Sequence, residues 1–315
     1  MPAPSDVAAA EPAPPPASRA GVWLLAARPK TLAAAAAPVL IGAGLAAFHD
    51  RFRALPALAA LAGALLIQIA TNLANDYYDF VRGTDTAERV GPTRVTQAGL
   101  IEPVAVKRGM LVVMGVAALV GLYLVAVGGW PILAIGLVSL VCAVAYTGGP
   151  FPLAYHGLGD VFVLVFFGLV AVGGTYWVQA RALPPDALLA GLGVGALSTA
   201  ILVANNLRDV ATDARAGKRT LAVRIGPTAT AVEYTLLVAV AALVPLAGIL
   251  IHGWPVPAVV AGALAAAGCV RPLVTVWRHR SPQELIPALG QTARAVALYG
   301  IALAAALAWG LRPPG

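Results

Sequence analysis

Long apolar runs without charge dominate the chain. Thr31 to Phe48, Ala54 to Asn75, Gly109 to Gly159, Val161 to Ala180, Ala187 to Leu207, Tyr234 to Val270 and Ala295 to Leu311 contain no Asp, Glu, Lys or Arg. A helix that crosses the hydrocarbon of a bilayer needs roughly 20 mainly apolar residues, and each run supplies at least most of that. Two runs are long enough for two spans each. Gly128-Gly129-Trp130-Pro131 divides one and His252-Gly253-Trp254-Pro255 the other, both strong turn sequences. The pattern predicts an all-α bundle of nine transmembrane helices. The ninth is short unless it continues back past Arg294.

Composition agrees. Hydrophobic residues make up 60% of the 315 and charged residues 11%, against about 25% charged in a soluble domain. So few charges exclude an ordinary soluble enzyme, a disordered chain and a nucleic-acid-binding module. The net charge of +7 is therefore loop charge on a membrane protein. Cys142 and Cys269 both lie in apolar runs and form neither a disulfide framework nor a metal pair. Residues 2–18 are Ala/Pro-rich and acidic, with no basic region ahead of an apolar core, which is not the pattern of a cleaved signal peptide. Residues 1–20 read as a disordered tail before one membrane domain over 21–315.

Basic residues set the orientation. With the N-terminus in the cytoplasm, sixteen of the 21 Lys and Arg fall in the tail and in the loops after the second, sixth and eighth spans, and four fall outside. That is a strong positive-inside bias. Trp130, Trp254 and Trp309 then read as an outer interfacial belt.

Half of the 14 acidic residues lie in two segments on the inner side. The first runs Asn72-Leu-Ala-Asn75-Asp76-Tyr77-Tyr78-Asp79-Phe-Val-Arg82-Gly-Thr-Asp85, with Glu88 and Glu102 beyond it. The second runs Asn205-Asn206-Leu-Arg208-Asp209-Val-Ala-Thr-Asp213-Ala-Arg215-Ala-Gly-Lys218-Arg219-Thr220. Spacings of i, i+4, i+7 for Asn72, Asp76 and Asp79, and of i, i+4, i+8 for Asn205, Asp209 and Asp213, place each set on one helix face. Asn-x-x-x-Asp thus recurs after the second and the sixth spans. This suggests two four-helix units, about 21–156 and 157–280, followed by a ninth helix.

Ionisable groups at a bilayer boundary are costly and usually functional. Converging aspartates need cations, and carboxylate and amide oxygens suit Mg2+, which takes one or two carboxylates and fills its shell with water and phosphate. Arg82, Arg94, Lys218 and Arg219 would be superfluous at a bare metal site, but they suit a metal-bound polyphosphate. Membrane, Mg2+ and diphosphate together point to an isoprenoid diphosphate. Its departing pyrophosphate would be stabilised by metal and basic groups, leaving an allylic cation for an electron-rich acceptor. No Ser/His/Asp or Cys/His nucleophile is apparent. The Gly/Pro-rich loop Tyr146 to Asp160 offers Tyr146 for the cation through its π face, and Tyr155 or His156 for the acceptor. A tight interfacial turn is the alternative. A cation-coupled transporter would also place acids near membrane helices. Here, however, the acids sit on one side, whereas transporter sites lie near the midplane.

These residues resemble the UbiA superfamily of membrane-embedded aromatic prenyltransferases. The matching segments are RPKTL from Arg28, NLANDYYDFVRGTD from Asn72, GPTR from Gly91, YTGGPFPLAYHGLGD from Tyr146 and NNLRDVATDARAGKRTLAVRIG from Asn205. The resemblance is greatest to the branch that acts on 1,4-dihydroxy-2-naphthoate. It implies a nine-helix bundle with a central cavity, Mg2+, a polyprenyl diphosphate donor and an aromatic acceptor. In that branch pyrophosphate and CO2 are released and the product is a demethylmenaquinone. Another acceptor, 4-hydroxybenzoate or homogentisate, is the alternative within the superfamily. Carried over by position, Asn72, Asp76 and Asp79 serve one Mg2+, with Asp85 near. Asp209 and Asp213 serve a second, supported by Asn205. Lys218, Arg219 and Arg94 hold the diphosphate, Tyr146 positions donor or cation, and Lys30 lies near the acceptor carboxylate. The resemblance also implies a bacterial-type plasma membrane and an active site facing the cytoplasm.

Overall fold

The computed structural model describes residues 18–84, 91 and 93–309. Asp85 and most of the expected disordered tail lie outside the described residues. Arg19 and Ala20 do not: they open a short helix, α1 (Arg19–Ala27), whose first turn is capped by the Ser18 hydroxyl accepting from the Gly21 N–H.

Among the described residues every long element is a helix: α2 (Pro29–Phe48), α3 (Ala54–Val81), α4 (Pro103–Gly128), α5 (Trp130–Ala145), α6 (Gly159–Leu164), α7 (Ala171–Ala180), α8 (Pro185–Arg215), α9 (Leu221–His252), α10 (Val259–Arg278) and α11 (Leu285–Trp309). A π-helical stretch, Val165–Val170, joins α6 to α7 into one crossing. Among the described residues eight crossings are long and apolar enough to span a bilayer, and α5 is a shorter apolar helix of 16 residues. The nine expected spans are thus eight long helices and one short one. The last is not short, because α11 continues back past Arg294, which is exposed. The expected turns appear where Gly129 and Gly253 take positive φ, at the ends of α4 and α9.

α8 runs through the middle of the bundle, with Ala190, Val194, Leu197 and Ala200 fully buried. α2, α7, α9, α10 and α11 pack around it in one core, and a smaller cluster joins Ala26, Leu73, Val95, Val106 and Met110. Large side chains such as Leu119, Leu246 and Leu250 are exposed, as a lipid-facing surface requires. Lipid is as apolar as leucine, so close backbone packing must supply the helix association. Small residues provide it. A Cβ on Gly300 would lie 2.5 Å from the Ala37 Cβ, and one on Gly168 would lie 2.4 Å from the Gly191 carbonyl oxygen. The second contact holds the π stretch against α8. Gly168→Ala is expected to destabilise the protein by about 1–3 kcal/mol, the usual cost of overpacking. A melting temperature in detergent equal to wild type would contradict that seam.

The end opposite the acidic segments is tied by polar groups. One oxygen of the Asp186 carboxylate lies 3.3 Å from His49 Nε2 and accepts from the Trp254 indole N–H at 3.3 Å. His49 Nδ1 pairs with the Tyr176 hydroxyl at 2.8 Å. Trp254 therefore departs from the expected belt. It is 2% exposed, against 79% for Trp130 and 86% for Trp309, because Gly248 leaves room for its ring and Asp186 satisfies its N–H.

Candidate active site

The two acidic segments begin within the C-terminal ends of the long helices α3 and α8. Asn72, Asp76 and Asp79 are all buried on one face of α3, and Asp209 and Asp213 are buried on α8 with Asn205 half-buried. Helical spacing accounts for both sets.

Each carboxylate has its own surroundings. Asp79 accepts from Arg94 at 3.3 Å and from the Tyr155 hydroxyl at 3.1 Å. Asp209 takes a two-pronged contact from Arg208, with Nε at 2.7 Å and Nη2 at 2.6 Å, while Arg208 also donates to Asn205 Oδ1 at 2.9 Å. Asp213 faces Lys218 at 3.5 Å, and its Oδ2 is buried with no hydrogen-bond partner among the described residues. Asp76 is 1% exposed, and its two oxygens accept the backbone N–H groups of Val95 (3.1 Å) and Thr96 (3.2 Å). It anchors the loop that brings Arg94 to Asp79. Only its remaining lone pairs are open to another ligand.

The α5–α6 loop joins the two segments. Thr147 donates to Asn75 Oδ1 at 3.0 Å, and Arg82 donates to the Gly149 carbonyl. Gly148 packs flat on Tyr78, where a Cβ would lie 2.7 Å from the ring. Farther along, the Tyr155 carbonyl accepts the Arg219 N–H at 3.1 Å, and the Tyr155 ring lies 5.3 Å from the Arg82 guanidinium and 5.6 Å from Lys218 Nζ. Burial first, and then the Asp79 carboxylate, push the Tyr155 phenol well above its ordinary value, so it remains a proton donor throughout the working pH range. His156 stacks on Phe151 with ring centroids 3.6 Å apart and turns Nδ1 to the Pro152 carbonyl.

A cavity of about 510 Å3 extends from this end between α2, α3, α4, α5, α6 and α7. Its polar end is lined by Arg28, Thr31, Gln68, Asn72, Asn75 and Tyr146, and its walls by side chains such as Val39, Ile67, Leu122, Leu140, Phe162, Phe166 and Phe167. Phe162 and Phe166 stack 5.6 Å apart, and the π stretch carries Phe166 and Phe167. Such stretches are frequent at functional sites. Asn72 fixes the polar corner by donating to the Ala27 carbonyl and to Thr31 Oγ1, each at 2.9 Å, and its Oδ1 accepts from Gln68 at 3.1 Å.

Asp79, Arg94, Tyr155, Asp213, Lys218 and Arg219 thus come to one place. Tyr146 and Asn72 line the adjoining cavity, and Asp209 with Asn205 stands one turn along α8 from Asp213. Lys30 is exposed and is not among the cavity-lining residues. Arg28 lines the cavity instead, from an elbow where its φ of 51° turns α1 into α2. Sequence reasoning missed Arg28, Gln68, Asn75 and Thr147. It also missed Asp160, whose buried Oδ2 has no hydrogen-bond partner among the described residues. Of these, Arg28 and Asp160 carried a signal as charges bordering apolar runs, and Asn75 as a neighbour of Asp76 in the first acidic segment.

The donor set fits Mg2+. Among the described residues, which do not include Asp85, no three carboxylate, imidazole or thiol side chains converge on one point. An ion held by one or two carboxylates and completed by phosphate and water suits these oxygens, and the unpartnered Asp213 Oδ2 is an available ligand.

The chain is similar to known proteins. A model of the UbiA prenyltransferase family matches residues 35–292. A Mycobacterium tuberculosis 1,4-dihydroxy-2-naphthoate octaprenyltransferase is 43% identical over 290 residues, covering 91% of this chain and 97% of its own. The Bacillus subtilis protein of the same name is 34% identical, with 91% of each chain covered. Among solved structures, a UbiA homologue from Archaeoglobus fulgidus bound to DMAPP and Mg2+ superposes with a TM-score of 0.64 at 15% identity, over 90% of this chain and 99% of that one. One from Aeropyrum pernix K1 gives 0.67 at 14% identity, over 85% and 96%.

Proposed function

The chain belongs to the UbiA prenyltransferase family and is an integral membrane prenyltransferase, and from that premise we propose that it transfers a polyprenyl group from a polyprenyl diphosphate to 1,4-dihydroxy-2-naphthoate. Pyrophosphate and CO2 leave, and the ring stays at the dihydroxy level, so the product is the quinol form of a demethylmenaquinone. Residues 21–315 act as one domain in a bacterial-type plasma membrane, with the site on the cytoplasmic side, where most of the Lys and Arg lie. The observation that carries this reading is the meeting of two Asp-bearing helix ends at the polar mouth of an apolar cavity. The naphthoate acceptor is supported by the relatives' names.

Asp79, Asp209 and Asp213 would hold Mg2+, with Asn205 supporting and Asp76 contributing from its remaining lone pairs. Bound there, the metal neutralises charge on the diphosphate. Lys218, Arg219, Arg94 and Arg82 bind the phosphate oxygens and stabilise the negative charge that grows as the allylic C–O bond breaks, its electron pair leaving with pyrophosphate. The apolar walls hold the tail and exclude the water that would trap the cation. Tyr146 presents its ring to the cation at the cavity's polar end. Arg28, beside Thr31 and Asn72, is placed to orient an acceptor carboxylate. The acceptor ring attacks the allylic carbon, and loss of CO2 returns an electron pair to the ring.

Purified protein in nanodiscs, given one polyprenyl diphosphate and a panel of acceptors, should prenylate dihydroxynaphthoate. If hydroxybenzoate or homogentisate is prenylated and dihydroxynaphthoate is not, the acceptor assignment fails. EDTA is expected to stop pyrophosphate release and Mg2+ to restore it, and turnover that persists in EDTA would contradict the metal site.

A further inference from the structure

We propose that Tyr155 is a positioning residue: its ring is the platform that aims one cation from each acidic segment, Arg82 and Lys218, at a single diphosphate. The inference rests on the proposed donor site and assigns that site one part it did not yet have, an aromatic platform.

Four observations carry it. Tyr155 lies in the short 3-10 turn Leu153–His156, far in sequence from both segments, yet it touches each. On the first side its hydroxyl donates to Asp79 and pairs with Thr84 Oγ1 at 3.0 Å. On the second side its carbonyl accepts the Arg219 N–H. The Arg82 guanidinium and the Lys218 ammonium both lie within cation–π range of its ring, which extends to about 6 Å from the centroid. Both have long stems that lose considerable rotamer freedom when fixed. A ring that restrains both spares the diphosphate that ordering. The same guanidinium donates through Nη2 to the Gly149 carbonyl, so the loop that carries the platform orients it as well.

The ring and the hydroxyl separate cleanly by substitution. Tyr155→Phe keeps the platform and loses only the contacts to Asp79 and Thr84. Tyr155→Leu removes the platform and keeps an apolar side chain in the turn. Two cation–π contacts at partly exposed sites correspond to about a tenfold loss of affinity. Calorimetric titration of the purified protein with inorganic pyrophosphate and Mg2+ should therefore give a Kd about tenfold weaker for Tyr155→Leu and within about threefold of wild type for Tyr155→Phe. The donor KM should follow the same order, while the acceptor KM stays unchanged in both. A role confined to packing the loop would move both KM values together and lower the melting temperature. Wild-type pyrophosphate binding by Tyr155→Leu overturns the inference alone, as does a Phe variant as weak as the Leu variant. A wild-type protein that binds no pyrophosphate overturns the donor site and this inference with it.

Discussion

Asp213→Asn is expected to reduce prenyl transfer by at least about 10³-fold, equivalent to about 4 kcal/mol of transition-state stabilisation, while the protein remains folded. Asp213 is the most informative acid to change because its carboxylate is only lightly used by the fold. Lys218 stands 3.5 Å from Oδ1, and Oδ2 is buried without a hydrogen-bond partner among the described residues. Asn fills the same space and keeps an oxygen toward Lys218, so the side chain loses its charge and little of its packing. Melting temperature and gel-filtration profile in detergent should match wild type. Turnover within tenfold of wild type would remove Asp213 from the metal site.

Asp209 behaves differently, because there the fold and the chemistry share one side chain. The Arg208 side chain is 1% exposed and meets both oxygens of Asp209. Asp209→Ala leaves a buried guanidinium without its carboxylate, and breaking such a pair from one side costs about 3–5 kcal/mol. A clear loss of thermal stability should therefore accompany the loss of activity. The double change Arg208→Met with Asp209→Leu replaces the pair by apolar groups of similar volume, which is often neutral or stabilising. It should recover the melting temperature and none of the turnover. If the single variant melts like wild type, the pair is not structural. If the double variant turns over substrate, Asp209 has no part in the chemistry.

How much of this could be read from the chain differs from element to element. Spans such as Pro29–Phe48 are legible because a bilayer imposes length and apolarity on every crossing helix. The shared face of Asn72, Asp76 and Asp79 follows from helical period alone. Which partner each acid meets does not, since that depends on loops. Asp76 faces Val95 and Thr96, about 20 residues on, and its role as an anchor appears only once that loop is placed. Tyr155 reaches Asp79 across 76 residues, and no local pattern encodes that contact. That Arg28 lines the cavity and Lys30 does not is legible only with the elbow at Arg28, whose φ of 51° joins α1 to α2. Trp254 read as interfacial because tryptophan usually is. The space left by Gly248, one turn back on α9, is visible only in three dimensions.

The central claim is that the two acidic segments form one diphosphate site. Its most direct measurement is a calorimetric titration of the purified protein with pyrophosphate in the presence of Mg2+, repeated with Asp79→Asn and with Asp213→Asn. The account predicts one equivalent bound by wild type and its loss in either variant alone. Two equivalents, or full binding that survives the change in one segment, would contradict it.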